Sequence, residues 1–588
     1  RGASLRNARL VDCDLSGADL DRANLDGAEL LSSDFSGAIL TVASLKKATL
    51  QTCNMAEVSL VKASLDGASL TGVDLTRAKL ERASAVKATF HDVCLHGAVL
   101  RDISAANVKV VESSLHAASL VSALLAEAAF TACDVQDADF SNAHLKGASL
   151  QNANFLGAQL DGACLEEAKC GKASFVGVSA TGIKLKSANL TSTDFSDADL
   201  TLADASGANF TSAKLNSTKL SRATAEKACW DAADLSGADF EQARLNGGQF
   251  GSTIMKGTVL VRAKLKDAAM PSVVLRGAVC QAADFSDACL DGADATDATM
   301  LGACFVKARL AKATLCRANL AGAKAIGANL KSADLMDSVM TKADFTEACF
   351  ARTQLAGANL QGAELVGADF SKASALRASF HGANLKDATF MEAKLGGADF
   401  TAADMSSVSL FKAQLDAQSN SADTSSPAAA ACFAGAILRE AVLQEARGLG
   451  VDFANSDLRK AVLEGAQLPE ACFESASLKY AKMAEVDLSR ARCACAKLEG
   501  AELHGAVLHE IELDEAELRL AKLMDANFKN ASLRNANITY HGLCNTNFAG
   551  ADLRGCNTGD VDIAPFCILD DAILDPPRPR PASPLDMA

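Results

Sequence analysis

The sequence predicts an all-β repeat fold in which the chain turns a corner every five residues. Counting every fifth position from Leu5 to Leu415 gives 83 sites, and 64 of them are Leu or Phe. Two residues before each stands a small residue, usually Ala, as at Ala3, Ala8, Ala18, Ala23 and Ala28, with Cys13, Ser33, Val58 and Thr193 as occasional substitutes. A period of five matches neither the helical period of about 3.6 nor the strand period of about 2, which excludes ordinary amphipathic elements. A corner every five residues turns the Leu or Phe and the Ala inward and leaves the other three residues to solvent.

Stretches such as "GADLDRANLDGAEL" and "GANLQGAELVGADF" resemble the A(D/N)Lxx pattern of pentapeptide-repeat proteins. The resemblance implies a right-handed quadrilateral parallel β-helix, with four pentapeptides per coil, so that residues twenty apart stack. At about 4.8 Å between strands, about 21 coils in residues 1–415 would form a rod roughly 100 Å long. Each coil would contact only its neighbours.

The repeat also sets the expected domain organisation. The first solenoid block runs over 1–415. Residues 416–432, "DAQSNSADTSSPAAAAC", carry no repeat signal and read as a linker or loop. The pattern returns in a 5n+3 register from Phe433 to Ile573, giving a second block over 433–573 with Gly448 at an inward position and an irregular first coil. Residues 574–588, "LDPPRPRPASPLDMA", form a Pro/Arg-rich tail expected to be extended and able to dock in an aromatic groove. Inside the first block, eight inward sites shrink to Ala, and Phe90, Phe210, Trp230 and Phe380 follow Ala85, Ala205, Ala225 and Ala375. In a close-packed core each ring needs space given up nearby.

Composition narrows the function. An apolar content of 49% with 22% charged residues argues against disorder. No apolar run is long enough for a membrane span. A net charge of −15 speaks against direct nucleic-acid binding. The start at Arg1, without Met, reads as a processed or truncated product. No two of the 19 Cys differ by twenty, so stacked coils bring no pair into bridging range. No intrachain disulfide is expected, and a reducing compartment (cytoplasm or organelle interior) is favoured.

No phosphate loop, nucleophile elbow, CxxC pair or HExxH motif occurs, so neither catalytic residues nor a cofactor is expected. The candidate metal ligands are Cys94, His96 and His116, brought to one side by the twenty-residue rule with Asp134 further along. The most acidic stretch, 497–518, is expected to pair with bases one coil away: Glu499 with Lys479 and Arg519, Glu502 with Lys482 and Lys522, Glu510 with Arg490, Glu512 with Arg492, Asp514 with Arg534 and Glu517 with Lys497. Glu515 alone has no base above or below it.

The sequence therefore reads as a non-catalytic scaffold for protein–protein interaction within a larger assembly. Two alternatives stay open. The resemblance implies that some family members mimic duplex DNA and bind gyrase. A mimic about 100 Å long would display about 60 negative charges, whereas residues 1–432 carry 48 acids and 41 bases. The other alternative is a plastid, thylakoid-associated structural protein.

Overall fold

Backbone hydrogen bonding explains the pentapeptide from its own residues. Around Leu25, Asn24 donates to Ala3 O at 2.8 Å on the preceding coil, and Leu25 to Ser44 O at 2.7 Å on the following one. Gly27 donates to Lys46 O at 2.8 Å, and Ala28 closes the corner on Leu25 O at 3.0 Å. The N–H of Asp26 remains, and the Asn24 side chain accepts it at 3.0 Å. Asp or Asn stands before the inward residue because its oxygen satisfies this otherwise orphaned donor. Asp14, Asp74 and Asp234 do the same for Ser16, Thr76 and Ser236. The residue two places after the inward one holds the left-handed conformation, with φ of +66° at Gly27 and +57° at Arg22.

The computed structural model describes residues 1–416, 430–539, 542–559 and 563–575. The chain divides into two units, Arg1–Cys304 and Phe305–Ala588. Among the described residues there is no helix.

In the first unit, residues twenty apart pair in parallel. One side carries seven strands: β1 (Arg9–Val11), β2 (Glu29–Leu31), β3 (Thr49–Gln51), β4 (Ser69–Thr71), β5 (Thr89–His91), β6 (Lys109–Val111) and β7 (Ala129–Thr131). They form one sheet in chain order, with Leu30 beside Leu50 and Leu50 beside Leu70. The remaining sides are joined by single parallel bridges at the same spacing. Strands form only where the corner that follows is built differently. The next small position there holds Cys13, Ser33, Cys53, Val73, Val93, Ser113 or Cys133, and from Ala153 onward mostly Ala. At one of these corners Ser33 Oγ donates to Leu31 O at 2.9 Å and accepts from the Cys13 N–H at 3.1 Å.

The core of this unit is largely as expected. Leu75 and Leu145 are fully buried, and Phe155, Phe175 and Phe195 stack at 4.9 and 4.7 Å. Trp230 lies between Phe210 at 4.2 Å and Phe250 at 6.1 Å, and its indole Nε1 has no hydrogen-bond partner among the described residues. Beside Ala105 the compensation is incomplete, leaving an apolar cavity of about 20 Å³ lined by Phe90, Val110 and Phe130. Leu5, Leu10 and Leu15, expected to be buried, are half-buried, because a coil covers them on one side only.

In the second unit the ladder runs across the 416–432 segment. Asp399 pairs with Cys432, Asp404 with Ile437, Ser409 with Val442 and Gln414 with Arg447, all in parallel. The spacing is 33, which is 20 plus 13. Thirteen is two repeats and three residues, which converts the 5n register into 5n+3. Ala431 donates to Leu415 O at 2.7 Å, the bond that closes the ordinary corners. The segment is therefore an insertion at one corner of a continuing ladder. A phenylalanine stack passes the same point, Phe380–Phe400–Phe433–Phe453, at 4.8, 4.9 and 4.9 Å. Asp416 and Ala430 form an antiparallel bridge at its base, while 417–429 lie outside the described residues.

Gly448 keeps its ladder bond to Gln467 O at 2.9 Å, and the chain bends after it. Glycine is required there, since a Cβ would lie 2.8 Å from Leu415 Cβ. At the far end the spacing grows to 21, with Thr546 of β8 (Thr546–Asn547) beside Cys567 of β9 (Cys567–Ile568), and Asp552 beside Ile573. One extra residue moves Ile568 and Ile573 off the inward position, and they are 42% and 48% exposed. Tail residues 576–588 lie outside the described residues.

Candidate interaction surface

Because coils stack in register, outward side chains form columns with one residue per coil. Charges in these columns meet their neighbours above and below. Glu499 accepts from Lys479 Nζ at 2.8 Å and Arg519 at 2.7 Å. Those two bonds hold its carboxyl below the usual range, the lysine contributing most. Lys522 reaches Glu502 at 2.7 Å, Arg490 reaches Glu510 at 2.9 Å, and Arg534 reaches Asp514 at 2.7 Å. Three expected pairs do not form: Glu502 bonds Lys522 and not Lys482, and two others find different partners. Arg492 turns to Glu474 at 3.6 Å instead of Glu512, and Glu517 accepts from Asn537 at 3.0 Å instead of Lys497. A long side chain can swing to either neighbouring coil, and spacing alone does not choose. Glu515, expected to lack a base, accepts from the Cys495 thiol at 3.7 Å. Single exposed pairs contribute little, but a column of them holds long side chains in place.

The candidate metal ligands do not converge. His96 and His116 stack face to face, with ring centroids 5.1 Å apart and planes 8° apart. Parallel rings aim their nitrogens alongside one another instead of at a common point. The Cys94 thiol instead meets Thr76 Oγ1 at 3.3 Å. A groove of about 240 Å³ runs past Asp74, Asp92, Cys94 and Glu112, yet no three such residues are arranged to hold a metal ion among the described residues. The cysteines are free thiols. Burial pushes Cys170 and Cys280 up to about 12 and Cys493 up further. No helix among the described residues is long and apolar enough to cross a membrane.

Reading the inward positions left one class of outward residue unnoticed. Left-handed corners carry Gly, Ala or polar residues almost throughout, but Val42, Leu202, Tyr480 and Leu520 hold the same conformation. The signal was present in the sequence, as a large apolar residue two places after an inward one.

A family profile described as "Pentapeptide repeats (8 copies)" matches residues 3–41, 43–102, 111–166, 233–270, 274–310, 313–416, 436–479 and 501–539. A second, "Pentapeptide repeat region", matches 148–225. No curated protein matches the chain. Among solved structures it is similar to HetL, a pentapeptide repeat protein involved in heterocyst differentiation regulation in the cyanobacterium Nostoc, at 29% identity over 42% of this chain and 89% of that one, with a TM-score of 0.19. It is also similar to QnrB1, a plasmid-mediated fluoroquinolone resistance protein, at 17% identity over 36% and 89%, with a TM-score of 0.23. A pentapeptide repeat protein of the Arabidopsis thaliana thylakoid lumen shares 28% identity over 22% and 66%, with a TM-score of 0.10.

Proposed function

The chain belongs to the pentapeptide-repeat family, and from that premise we propose that it is a non-catalytic scaffold whose solenoid sides bind protein partners within a larger assembly. The observation that carries this reading is the stacking of outward residues in columns, with ion pairs such as Lys479–Glu499–Arg519 tying successive coils. Such a surface is ordered before a partner arrives, so binding costs little side-chain entropy. The near balance of 48 acids and 41 bases in residues 1–432 weighs against DNA mimicry. Buried, unpaired Cys170, Cys280 and Cys493 favour a reducing compartment.

Affinity purification of the tagged chain from its native source, with nuclease treatment, tests the proposal. One stoichiometric protein complex that survives nuclease is the expected result. Recovery of the chain alone, or only with a DNA-handling enzyme, would overturn it.

A further inference from the structure

Four large apolar residues, Val42, Leu202, Tyr480 and Leu520, hold left-handed corners with φ of 58°, 62°, 59° and 62°. Bulky residues are strained in this conformation. They gain little burial in return, being 49%, 55%, 57% and 49% exposed. Tyr480 and Leu520 share one corner, two coils apart, in the column set by the Ser477–Lys497–Glu517 ladder. Gly500 stands between them. A Cβ on Gly500 would lie 2.6 Å from Tyr480 Cδ1, so the ring lies across the glycine and extends toward Leu520. The N–H groups of Tyr480 and Gly500 donate to Glu499 O and Arg519 O, each at 2.9 Å, which fixes both corners.

This apolar strip has a charged rim. Lys479, Glu499 and Arg519 bond along one flank, and Lys522 and Glu502 along the other beside Lys482. The Glu440–Lys460 pair, at 3.2 Å, closes one end of the column. An exposed aromatic centre with a polar rim is the anatomy of a binding hot spot. The two flanks together hold four bases and two acids, so they favour an acidic partner. Tyr480 and Leu520 are two coils apart, about 10 Å. Helical residues seven apart lie on one face at about 10.5 Å, whereas same-face strand residues fall at about 7 or 13 Å.

Building on the scaffold reading, we propose that the Tyr480–Gly500–Leu520 corner docks an amphipathic helix of a partner protein, with two apolar residues seven apart flanked by acidic ones. The test is a display library of helical peptides, randomised on one face and its flanks, selected on the full-length chain. The enriched pool is expected to carry large apolar residues at i and i+7 with neighbouring Asp or Glu. The double variant Tyr480→Asp, Leu520→Asp should weaken the enriched peptides by at least about tenfold, while Val42→Asp, Leu202→Asp should leave them unchanged. Asp already occupies left-handed corners, as at Asp102 and Asp137, so both double variants keep the fold. The proposal is overturned if no peptide is enriched, if the pool is basic or lacks the i, i+7 pair, or if the Tyr480/Leu520 variant binds as well as the parent. A stoichiometric complex from native purification alongside such a result would leave the scaffold reading standing and remove only this site.

Discussion

Trp230 replaces a Phe or Leu in the inward column and brings an N–H that finds no acceptor among the described residues. A buried donor left unpaired costs about 1–3 kcal/mol. Trp230→Phe removes that donor and keeps a ring against Phe210, so chemical denaturation should place it within about 1 kcal/mol of the parent, whereas Trp230→Ala should lose about 3–5 kcal/mol. A loss well above about 1 kcal/mol in Trp230→Phe would mean that the indole does have a partner. Asp457 poses the opposite case. Arg459, and then Arg439, hold its carboxyl down to about 2, at 2.7 and 2.6 Å. A depressed carboxylate contributes stability that is complete above its ordinary value, near 4, and is lost as pH falls through about 2. The parent should therefore be more stable than Asp457→Asn at neutral pH, with the gap closing between about pH 4 and 2. A gap unchanged across that window would show that the two arginines are not the source.

At the scale of the corner, one hydrogen bond defines the element and whatever lies between its ends is free to vary. Ala431 closes on Leu415 as Ala28 closes on Leu25, although fifteen residues separate the first pair and two the second. Deleting 417–429 should therefore leave an ordinary corner formed by Asp416 and residue 430, made Gly to suit the left-handed position. Loop-closure entropy predicts a gain of about 1–2 kcal/mol. The checks are an unchanged β-type circular dichroism spectrum and a raised denaturation midpoint. Loss of the β spectrum would show that the insertion supports the ladder. At the corners after β1 to β7 the closing bond is missing, and the residue in the small position is Cys, Ser or Val.

Over the whole chain, the pairing of each coil with its neighbours sorts the cysteines by position in the repeat. Cys170, Cys280 and Cys493 face inward and Cys495 and Cys544 are exposed. The thiolate is the reactive form, so both burial and a raised pKa protect the inward three. Native alkylation should reach Cys495 and Cys544 and spare Cys170, Cys280 and Cys493. In denaturant, all 19 thiols should titrate without reductant. A rise in thiol count on adding reductant would reveal disulfides and sink the reducing-compartment reading.

The fold was legible from the residues because one rule repeats: Ala and Leu pack inward, Asp or Asn satisfies the spare N–H, and the next corner follows. Leu75 and Leu145 obey it with no knowledge of their surroundings, and so does the Glu499 triad, whose partners sit directly above and below. Other features depended on contacts between coils. The insertion looked like a boundary because a register change is visible in the chain, whereas the ladder from Asp404 to Ile437 that spans it is not. Arg492 had two carboxylates within reach and took Glu474. His96 and His116 were correctly placed together, yet their parallel ring planes do not suit a metal. Tyr480 and Leu520 form one strip only because the stack brings residues forty apart to neighbouring points on one corner. A local repeat specifies which way each side chain faces. What it meets there depends on the coils on either side, whose outward residues the repeat leaves free.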